Sequence, residues 1–139
     1  MTNHDGLVKP GPIIEAFTTQ VIGAAITVHA ALGPGLIEAV YHEAMKIELR
    51  ERQIPFVSEK PIDVIYRDRL VGQSFADFLV GDVLVVDLKA VKSLAEIHTA
   101  QILHYLYAGG YVLGLLLNFH EAYMRDGIKR VISNRPQRR

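Results

Sequence analysis

The 139-residue sequence contains no cysteine. This absence excludes a disulfide framework and a zinc–thiolate site, and it suits a reducing compartment, so we expect a cytoplasmic protein. The chain also has no excess of positive or negative charge. Lysine plus arginine and aspartate plus glutamate each number 15, and the formal net charge at pH 7 is zero. It therefore lacks the overall basic charge that marks many nucleic-acid-binding proteins. A cluster of active-site carboxylates would cancel basic residues elsewhere, so the balance leaves such a partner open.

A leader and a membrane-length apolar run are missing as well. The N-terminal stretch MTNHDGLVKPGP has no continuous apolar region of the kind that a secretory signal requires. The most apolar window, residues 21–40, is interrupted by His29, by a Gly-Pro-Gly turn at residues 33–35 and by Glu38. The sequence therefore predicts a protein that neither carries a signal peptide nor spans a membrane.

Length and composition predict one domain. Half of the 139 residues are apolar, which is enough for a substantial core, and we find no internal repeat and no low-complexity segment. We expect residues 1–12 to form a flexible N-terminus, residues 13–132 a single domain, and residues 133–139 a basic disordered tail.

The order of apolar segments predicts an α/β fold, α-α-β-β-β-α-β-β. Helices are predicted at residues 13–32, 36–53 and 94–108, the last with a capping box of Ser93 and Glu96. Strands are predicted at residues 56–67, twice within 75–90, and at 111–119 and 127–132, with residues 67–69 at a hairpin tip. Pro61 predicts an edge strand or a bulge. Because a helix connects the third and fourth strands, they should be parallel, in a mixed sheet flanked by helices on both faces.

The fold is organised around residues 75–90, FADFLVGDVLVVDLKA. These residues predict two apolar strands, yet the strands carry Asp77, Asp87 and Lys89. Unpaired charge inside a sheet is strongly unfavourable, so something must compensate for it. A divalent cation would serve two carboxylates well, and the alternative is a buried ion-pair network without a metal.

The length of the hairpin loop decides whether the two aspartates meet. A three-residue loop, residues 81–83, would pair Val80 with Leu84 and place Asp77 opposite Asp87 on one face. A two-residue loop would place the aspartates on opposite faces and remove the metal site. Since three-residue loops with a glycine are common, we predict the odd loop.

Three more residues join this group. Glu38 stands just after the turn at residues 33–35, at the border of an apolar helix face, while Gln101 and Tyr105 are four apart and share a face of the third helix. Oxygen ligands suit Mg²⁺ or Mn²⁺. Asp77 and Asp87 would hold the ion with a backbone carbonyl and water, and Glu38 would join directly or through water. Lys89 would orient or help to deprotonate the attacking water and stabilise negative charge, as in metal-assisted phosphodiester hydrolysis.

Each of these features also has a structural interpretation. Glu38 could be a helix N-terminal charge favoured by the macrodipole, and Gln101 and Tyr105 could belong to a buried hydrogen-bond network. The turn at residues 33–35 lacks the preceding strand and the lysine of a P-loop, so we interpret it as a hinge between the first two helices. Three histidines, His29, His98 and His104, lie on apolar helices and are expected to be structural; only His98 lies near the Gln101–Tyr105 face. Several basic residues near the C-terminus could contact a nucleic-acid backbone or be solvated: Lys129, Arg130, Arg135, Arg138 and Arg139.

The chain resembles the GxxExxY protein family, which is placed in the PD-(D/E)XK nuclease superfamily. The name-giving motif is GLIEAVY at residues 35–41, and the likeness extends over residues 13–132 through ADFLV, VVDLKA, QILHY and the GLLLNFH and GIKRV segments. The resemblance implies a restriction-endonuclease-like fold, with Asp77 as the strand-two acidic residue and Asp87-Leu88-Lys89 as the (D/E)-x-K motif. It likewise implies that Glu38 is the first-helix glutamate. Gln101 and Tyr105 would then form the Q-x-x-x-Y motif of the RecB-like branch. Asp87 stands where the family usually has glutamate, and Ala76 where the motif's proline would be.

Two functions follow. The first is a Mg²⁺- or Mn²⁺-dependent nuclease acting on DNA in preference to RNA, with Glu38, Asp77 and Asp87 at the metal and Lys89 at the water. The second is a non-catalytic module that binds nucleic acid or a protein on a nuclease scaffold; hydrolysis of a smaller phosphate ester is a third, weaker reading. Because one small domain covers few nucleotides, we also expect a homodimer.

Overall fold

The computed structural model describes residues 9–133. Within this range the chain forms the following elements in order: α1 (Pro12–Leu32), α2 (Glu38–Glu51), β1 (Phe56–Tyr66), β2 (Arg69–Val80), β3 (Leu84–Lys89), α3 (Glu96–Gly109), β4 (Leu113–Asn118), a 3₁₀ helix (Met124–Gly127) and β5 (Ile128–Ile132). The predicted α/β fold and its order are confirmed, with the 3₁₀ helix as the one addition. Residues 1–8 and 134–139, which include most of the predicted flexible N-terminus and basic tail, lie outside the described residues.

The strands form a mixed sheet in the order β1-β2-β3-β4-β5. β3 and β4 are parallel, as the helical connection predicts, and the other neighbouring pairs are antiparallel. β1 is an edge strand, which accommodates the missing amide hydrogen of Pro61. The register irregularity in β1 lies between Val64 and Ile65 rather than at the proline.

Helices cover both faces of the sheet. On one face, α1 and α2 pack their buried side chains, among them Val21 and Met45, against Phe78, Val86 and Leu115. On the other face, α3 contributes Ile102 and Leu106 to a second buried cluster, whose strand members include Leu79, Val85 and Leu116. Alternate strand residues therefore enter different cores, and this explains why β3 and β4 are almost continuously apolar.

The two hairpins have loops of different length, and the β2–β3 loop sets the position of the aspartates. Val80 pairs with Leu84, so the β2–β3 loop has the predicted odd length. Its first two residues, Gly81 and Asp82, have φ values of 58° and 61°. In the β1–β2 hairpin, Arg67 and Asp68 have φ values of 50° and 62°, the pattern of a two-residue type I′ turn.

The helix ends differ from the sequence prediction in two places. α2 begins at Glu38 and ends at Glu51, so residues 36–37 belong to the preceding turn. α3 begins at Glu96, and the predicted capping box of Ser93 and Glu96 is wrong. The ring of His98 accepts a hydrogen bond from the amide of Ala95 instead, at 2.9 Å. Gly110 ends α3 with a φ of 78°, as the glycine pair predicts.

By length and composition alone, α1 could cross a membrane. Its buried residues Val21, Ala24, Ala25 and Val28 instead pack in the core that the sheet forms with α2. These contacts favour a core helix of a folded domain over a membrane span.

Candidate active site

Asp77 and Asp87 meet where β2 and β3 diverge. The backbone ladder ends at the Phe78–Val86 pair, and the side chains continue it. The amide of Asp77 donates to Oδ1 of Asp87 at 3.0 Å, and the amide of Leu88 donates to Oδ2 of Asp77 at 2.7 Å. Each carboxylate therefore has one oxygen held by a backbone amide and a second oxygen turned to other partners.

Lys89 lies between the strand pair and α3. Its Nζ atom is 3.3 Å from Oδ2 of Asp87 and donates to Oε1 of Gln101 at 3.3 Å. The side chain is only 15% exposed, so the ammonium group is held by these two contacts rather than by solvent. The structure thus brings together three of the predicted site residues in one chain of contacts.

Glu38 is the first residue of α2. It lies close enough to the strand pair for its charge to interact with Lys89, Asp87 and Asp77. The residue is exposed overall, yet desolvation by the neighbouring protein raises the pKa of its carboxyl, and the charge of Asp87 adds to this effect. Both predicted roles, site carboxylate and helix N-terminal charge, agree with this position.

The turn before Glu38 is held by Tyr41. The Tyr41 hydroxyl donates to the carbonyl of Gly33 at 2.6 Å and accepts from the amide of Leu36 at 3.1 Å. Its ring stacks on Phe119, with centroids 4.6 Å apart. The sequence indicated Tyr41 only as the last residue of the GLIEAVY motif. It did not predict the bridging hydroxyl, although a buried tyrosine hydroxyl normally has a partner.

The acidic groups of the site have raised pKa values. Burial, and then the charge of Asp77, raise the pKa of Asp87 to about 6. Burial also raises the pKa of Asp77, and the charge of Glu38 contributes to that shift. The one amine beside them, Lys89, does not offset these effects. Raised pKa values mean that the charged forms of these three neighbouring groups are unfavourable, and a bound cation or protonation would stabilise them.

Tyr105 supports this region from α3. Its hydroxyl donates to the carbonyl of Phe75 at 3.2 Å, two residues before Asp77. Burial and the charges of Asp87 and Asp77 raise its pKa to about 12, so it stays protonated. Tyr105 therefore holds the β2 backbone, whereas Gln101, which is exposed, contacts Lys89. The two residues share a helix face as predicted but hold different parts of the site.

His42 also lies at the site, although the sequence alone did not single it out. Its Nε2 atom is buried and has no hydrogen-bond partner within residues 9–133, and Oδ1 of Asp77 is 3.9 Å away. Its ring stacks on Phe78 at 4.6 Å. A cavity of about 280 Å³ adjoins it, lined by Glu38, Ala39, His42, Glu43, Glu59 and Asp77. The spacing of four residues from Glu38 could have revealed His42.

The other candidates have structural partners. The Nε2 atom of His29 bonds to the carbonyl of Glu121, and His98 caps α3. The ring of His104 contacts Tyr105, while its buried Nε2 atom has no hydrogen-bond partner within residues 9–133. Two basic candidates are likewise engaged, because Lys129 donates to Thr99 and Arg130 forms a two-bond ion pair with Glu15. Arg135, Arg138 and Arg139 lie outside the described residues.

The oxygen donors of the site decide whether it suits a divalent ion. Across the described range, no group of three or more His, Cys, Asp or Glu side chains has the arrangement of a preformed metal site. The strand carboxylates alone offer two oxygens beside those bound to amides, and hard cations accept water for their remaining ligands. Two aspartates therefore fit Mg²⁺ or Mn²⁺, with Glu38 at longer range.

A family model described as the PD-(D/E)XK nuclease superfamily matches residues 15–131. This match contains α2, the β2–β3 hairpin and α3, and so every residue of the site described above. A search of curated proteins and a search of solved structures each gave no significant match.

Proposed function

Because the chain belongs to the PD-(D/E)XK nuclease superfamily, we propose that it is a divalent-metal-dependent nuclease that hydrolyses phosphodiester bonds in DNA rather than RNA. The superfamily supports a nuclease-like function and a nucleic-acid substrate. The metal requirement and the role of each residue are inferences from the geometry of the site, and the choice of DNA is the expectation stated with the family resemblance.

The two hydrogen bonds that fix the strand carboxylates, from the amide of Asp77 to Asp87 and from the amide of Leu88 to Asp77, carry the proposal. A purely structural ion pair would be expected to neutralise its acidic groups, yet here Lys89 forms an ion pair with Asp87 and reaches Asp77 only through the weaker effect of its charge. Backbone amides fix one oxygen of each group, so the orientation of the second oxygen is set before any ligand arrives. Preorganised oxygens of this kind are what metal-ion and phosphoryl chemistry require.

Asp77 and Asp87 would hold Mg²⁺ or Mn²⁺, and Glu38 would complete the set directly or through water. A bound divalent cation supplies a Lewis acid for a phosphoryl oxygen and lowers the pKa of bound water. The raised pKa values of Asp77, Asp87 and Glu38 support this assignment, because a cation would relieve the repulsion that raises them.

Lys89 would orient the attacking water and stabilise the negative charge that develops on the phosphate. Its contacts with Asp87 and Gln101 limit the positions of the ammonium group. Since a protonated amine only donates, it would act on an oxygen of the water or the phosphate. Tyr105 would keep β2 in place, and we assign Gln101 and Tyr105 to a Q-x-x-x-Y motif of the RecB-like branch.

We place the chain in the GxxExxY family on the basis of residues 35–41, GLIEAVY. The bonds of Tyr41 to the turn before Glu38 support this placement, because they give the glutamate and the tyrosine of the motif a joint role. A cytoplasmic location and a homodimer complete the proposal, the first from the lack of cysteine and the second from the small size of the domain.

A second function is a module that binds nucleic acid or protein without cutting. The absence of a three-residue metal group across residues 9–133 favours it. In this case the strand carboxylates would remain as a charged network of the scaffold, and metal would change neither stability nor binding.

Cleavage of single- and double-stranded DNA and RNA in Mg²⁺, Mn²⁺ or EDTA tests both functions. We expect metal-dependent cutting of DNA that Asp87→Ala and Lys89→Ala abolish. Lys92→Ala is the matched control, since Lys92 is an exposed lysine three residues from Lys89. Absence of cutting by the wild type, with a melting temperature that is unchanged by metal, would overturn the nuclease and favour the binding module.

A further inference from the structure

A second cavity, of about 510 Å³, lies outside the carboxylate site. Its walls are the last turns of α1, the turn at residues 33–34 and residues 122–125, and they include Ile26, His29, Tyr123 and Arg125. It contains none of the six residues assigned to catalysis. We call it the Tyr123 cavity.

The loop that forms one wall is fixed to α1. The Nε2 atom of His29 and the carbonyl oxygen of Glu121 are 2.8 Å apart. Because a carbonyl only accepts, Nε2 carries the hydrogen and donates it. His29 is buried and its ring lies against Phe119, with centroids 6.1 Å apart. The cavity is therefore preformed rather than dependent on closure of a loose segment.

An aromatic ring and a cation stand together at this cavity. Tyr123 is 62% exposed, and the Arg125 guanidinium lies over its ring at 5.0 Å from the centroid. Neither side chain is needed to fill the core. Aromatic rings that nucleobases stack on, beside cations that meet phosphates, are the elements of single-strand binding sites.

The Tyr123 cavity is at the same edge of the sheet as the carboxylates. Pro34 lines it and is four residues before Glu38, so their Cα atoms are within about 14 Å. Phe119, four residues before Tyr123 in the chain, donates its amide to the carbonyl of Lys89 at 2.8 Å. A nucleic-acid strand with 3.4 Å between bases spans this Pro34–Glu38 limit in about four base steps.

We propose that the Tyr123 cavity binds one unpaired base of the nucleic-acid strand whose backbone passes the carboxylate site. The base stacks on Tyr123, and Arg125 contacts the adjacent phosphate. A base in a duplex is already stacked on both sides and cannot enter a cavity of this kind, so the site selects single-stranded or frayed substrates. This inference rests on the proposed nucleic-acid substrate and adds strandedness to it.

The test is the affinity of wild type and variants for a fluorescein-labelled single strand and for a blunt duplex, in EDTA and again in Ca²⁺. We expect Tyr123→Ala to weaken single-strand binding about tenfold and Tyr123→Phe to preserve it, since stacking requires the ring alone. Duplex affinity should change less than about twofold if stacking is confined to unpaired bases. Arg125→Ala should weaken single-strand binding and reduce its salt dependence by about one phosphate contact.

The β1–β2 turn offers a matched control. There Tyr66 is 61% exposed and Arg67 lies over its ring at 5.4 Å, but neither residue lines the Tyr123 cavity. Tyr66→Ala should leave single-strand affinity unchanged. Thermal melting confirms that each variant is folded.

Several results would overturn the inference: equal affinity of wild type and Tyr123→Ala, an equal loss in Tyr66→Ala, or no single-strand binding in either buffer. Loss of a dimer in Tyr123→Ala with unchanged DNA affinity would assign the cavity to a second copy of the chain. A protein that never cuts but whose single-strand binding depends on Tyr123 would refute the nuclease and support the cavity. Equal cutting of single strands and duplexes by wild type and Tyr123→Ala would support the nuclease and refute the proposed role of the cavity.

Discussion

Asp77 and Asp87 each complete the hydrogen bonding of the other's strand: the amide of Asp77 donates to the Asp87 carboxylate, and the Asp77 carboxylate accepts the amide of Leu88. The two side chains thereby replace ladder bonds at the point where β2 and β3 separate. This arrangement makes the same carboxylates structural and chemical, so their substitution should affect stability and activity differently.

The first prediction concerns Asp87 and pH. Its folded-state pKa of about 6 is above the ordinary value of 3.8, so folding binds protons and the ionised group opposes folding above pH 6. In EDTA, the free energy of unfolding should rise as the pH falls from 7 towards 4. The stability of Asp87→Asn relative to wild type should be highest near pH 8, where the wild-type carboxyl is ionised, and should decrease towards pH 4.

Urea unfolding of both proteins between pH 4 and 8 measures this difference. Subtracting the two curves removes other carboxylates that both proteins share, among them Glu15, whose pKa its partner Arg130 lowers. A difference that stays constant over the whole range would show that Asp87 has an ordinary pKa.

The second prediction concerns metal binding. Mg²⁺ or Mn²⁺ at 100 times its Kd should stabilise the wild type by about 2.7 kcal/mol, because the ion binds only the folded state. Asp77→Asn and Asp87→Asn should lose this stabilisation, and Glu38→Gln should lose part of it. Thermal melts with Mg²⁺, with Mn²⁺ and with an equal ionic strength of Na⁺ separate site binding from screening. Equal shifts in wild type and both aspartate variants would rule out these ligands.

The third prediction concerns Tyr41. Tyr41→Phe keeps the ring stack on Phe119 but removes the hydroxyl between Gly33 and Leu36, which should lower the free energy of unfolding by about 1–2 kcal/mol. Because this turn positions Glu38, cleavage should fall as well. Tyr66→Phe, at an exposed tyrosine whose hydroxyl accepts from Arg67, is the control.

A double-mutant cycle with Glu38→Gln measures whether Tyr41 acts through Glu38. If it does, the second substitution should add little to the loss of cleavage caused by the first. Additive losses would mean that the hydroxyl contributes to folding alone.

The fourth prediction concerns His42. Phenylalanine retains the stack on Phe78 and removes the buried, unpartnered Nε2 atom, so His42→Phe should raise the free energy of unfolding by about 1 kcal/mol. Cleavage should nevertheless fall, since the ring borders the cavity that Glu38 and Asp77 line. Urea unfolding and a cleavage assay on the same preparation check both parts. A stability loss above about 1 kcal/mol would mean that Nε2 has a partner in solution.

The sequence determined the frame of the site because local rules govern it. Periodicity placed the helices and strands, the helix between β3 and β4 required parallel strands, and the odd loop put Asp77 and Asp87 side by side. The start of α3 was misplaced because Ser93 satisfied a local capping rule, while the His98 ring supplied the cap that the folded chain uses.

Only the tertiary structure decided the features that depend on distant segments. His42 meets Asp77 across two elements, Tyr41 meets Phe119 across 78 positions of sequence, and the Tyr123 cavity arises where the end of α1 faces a loop about 90 residues later. No periodicity encodes such meetings, because they result from how the helices pack on the sheet. The pKa of Asp87 has the same origin: a residue type sets its ordinary value, and burial beside a second carboxylate sets the value in the fold.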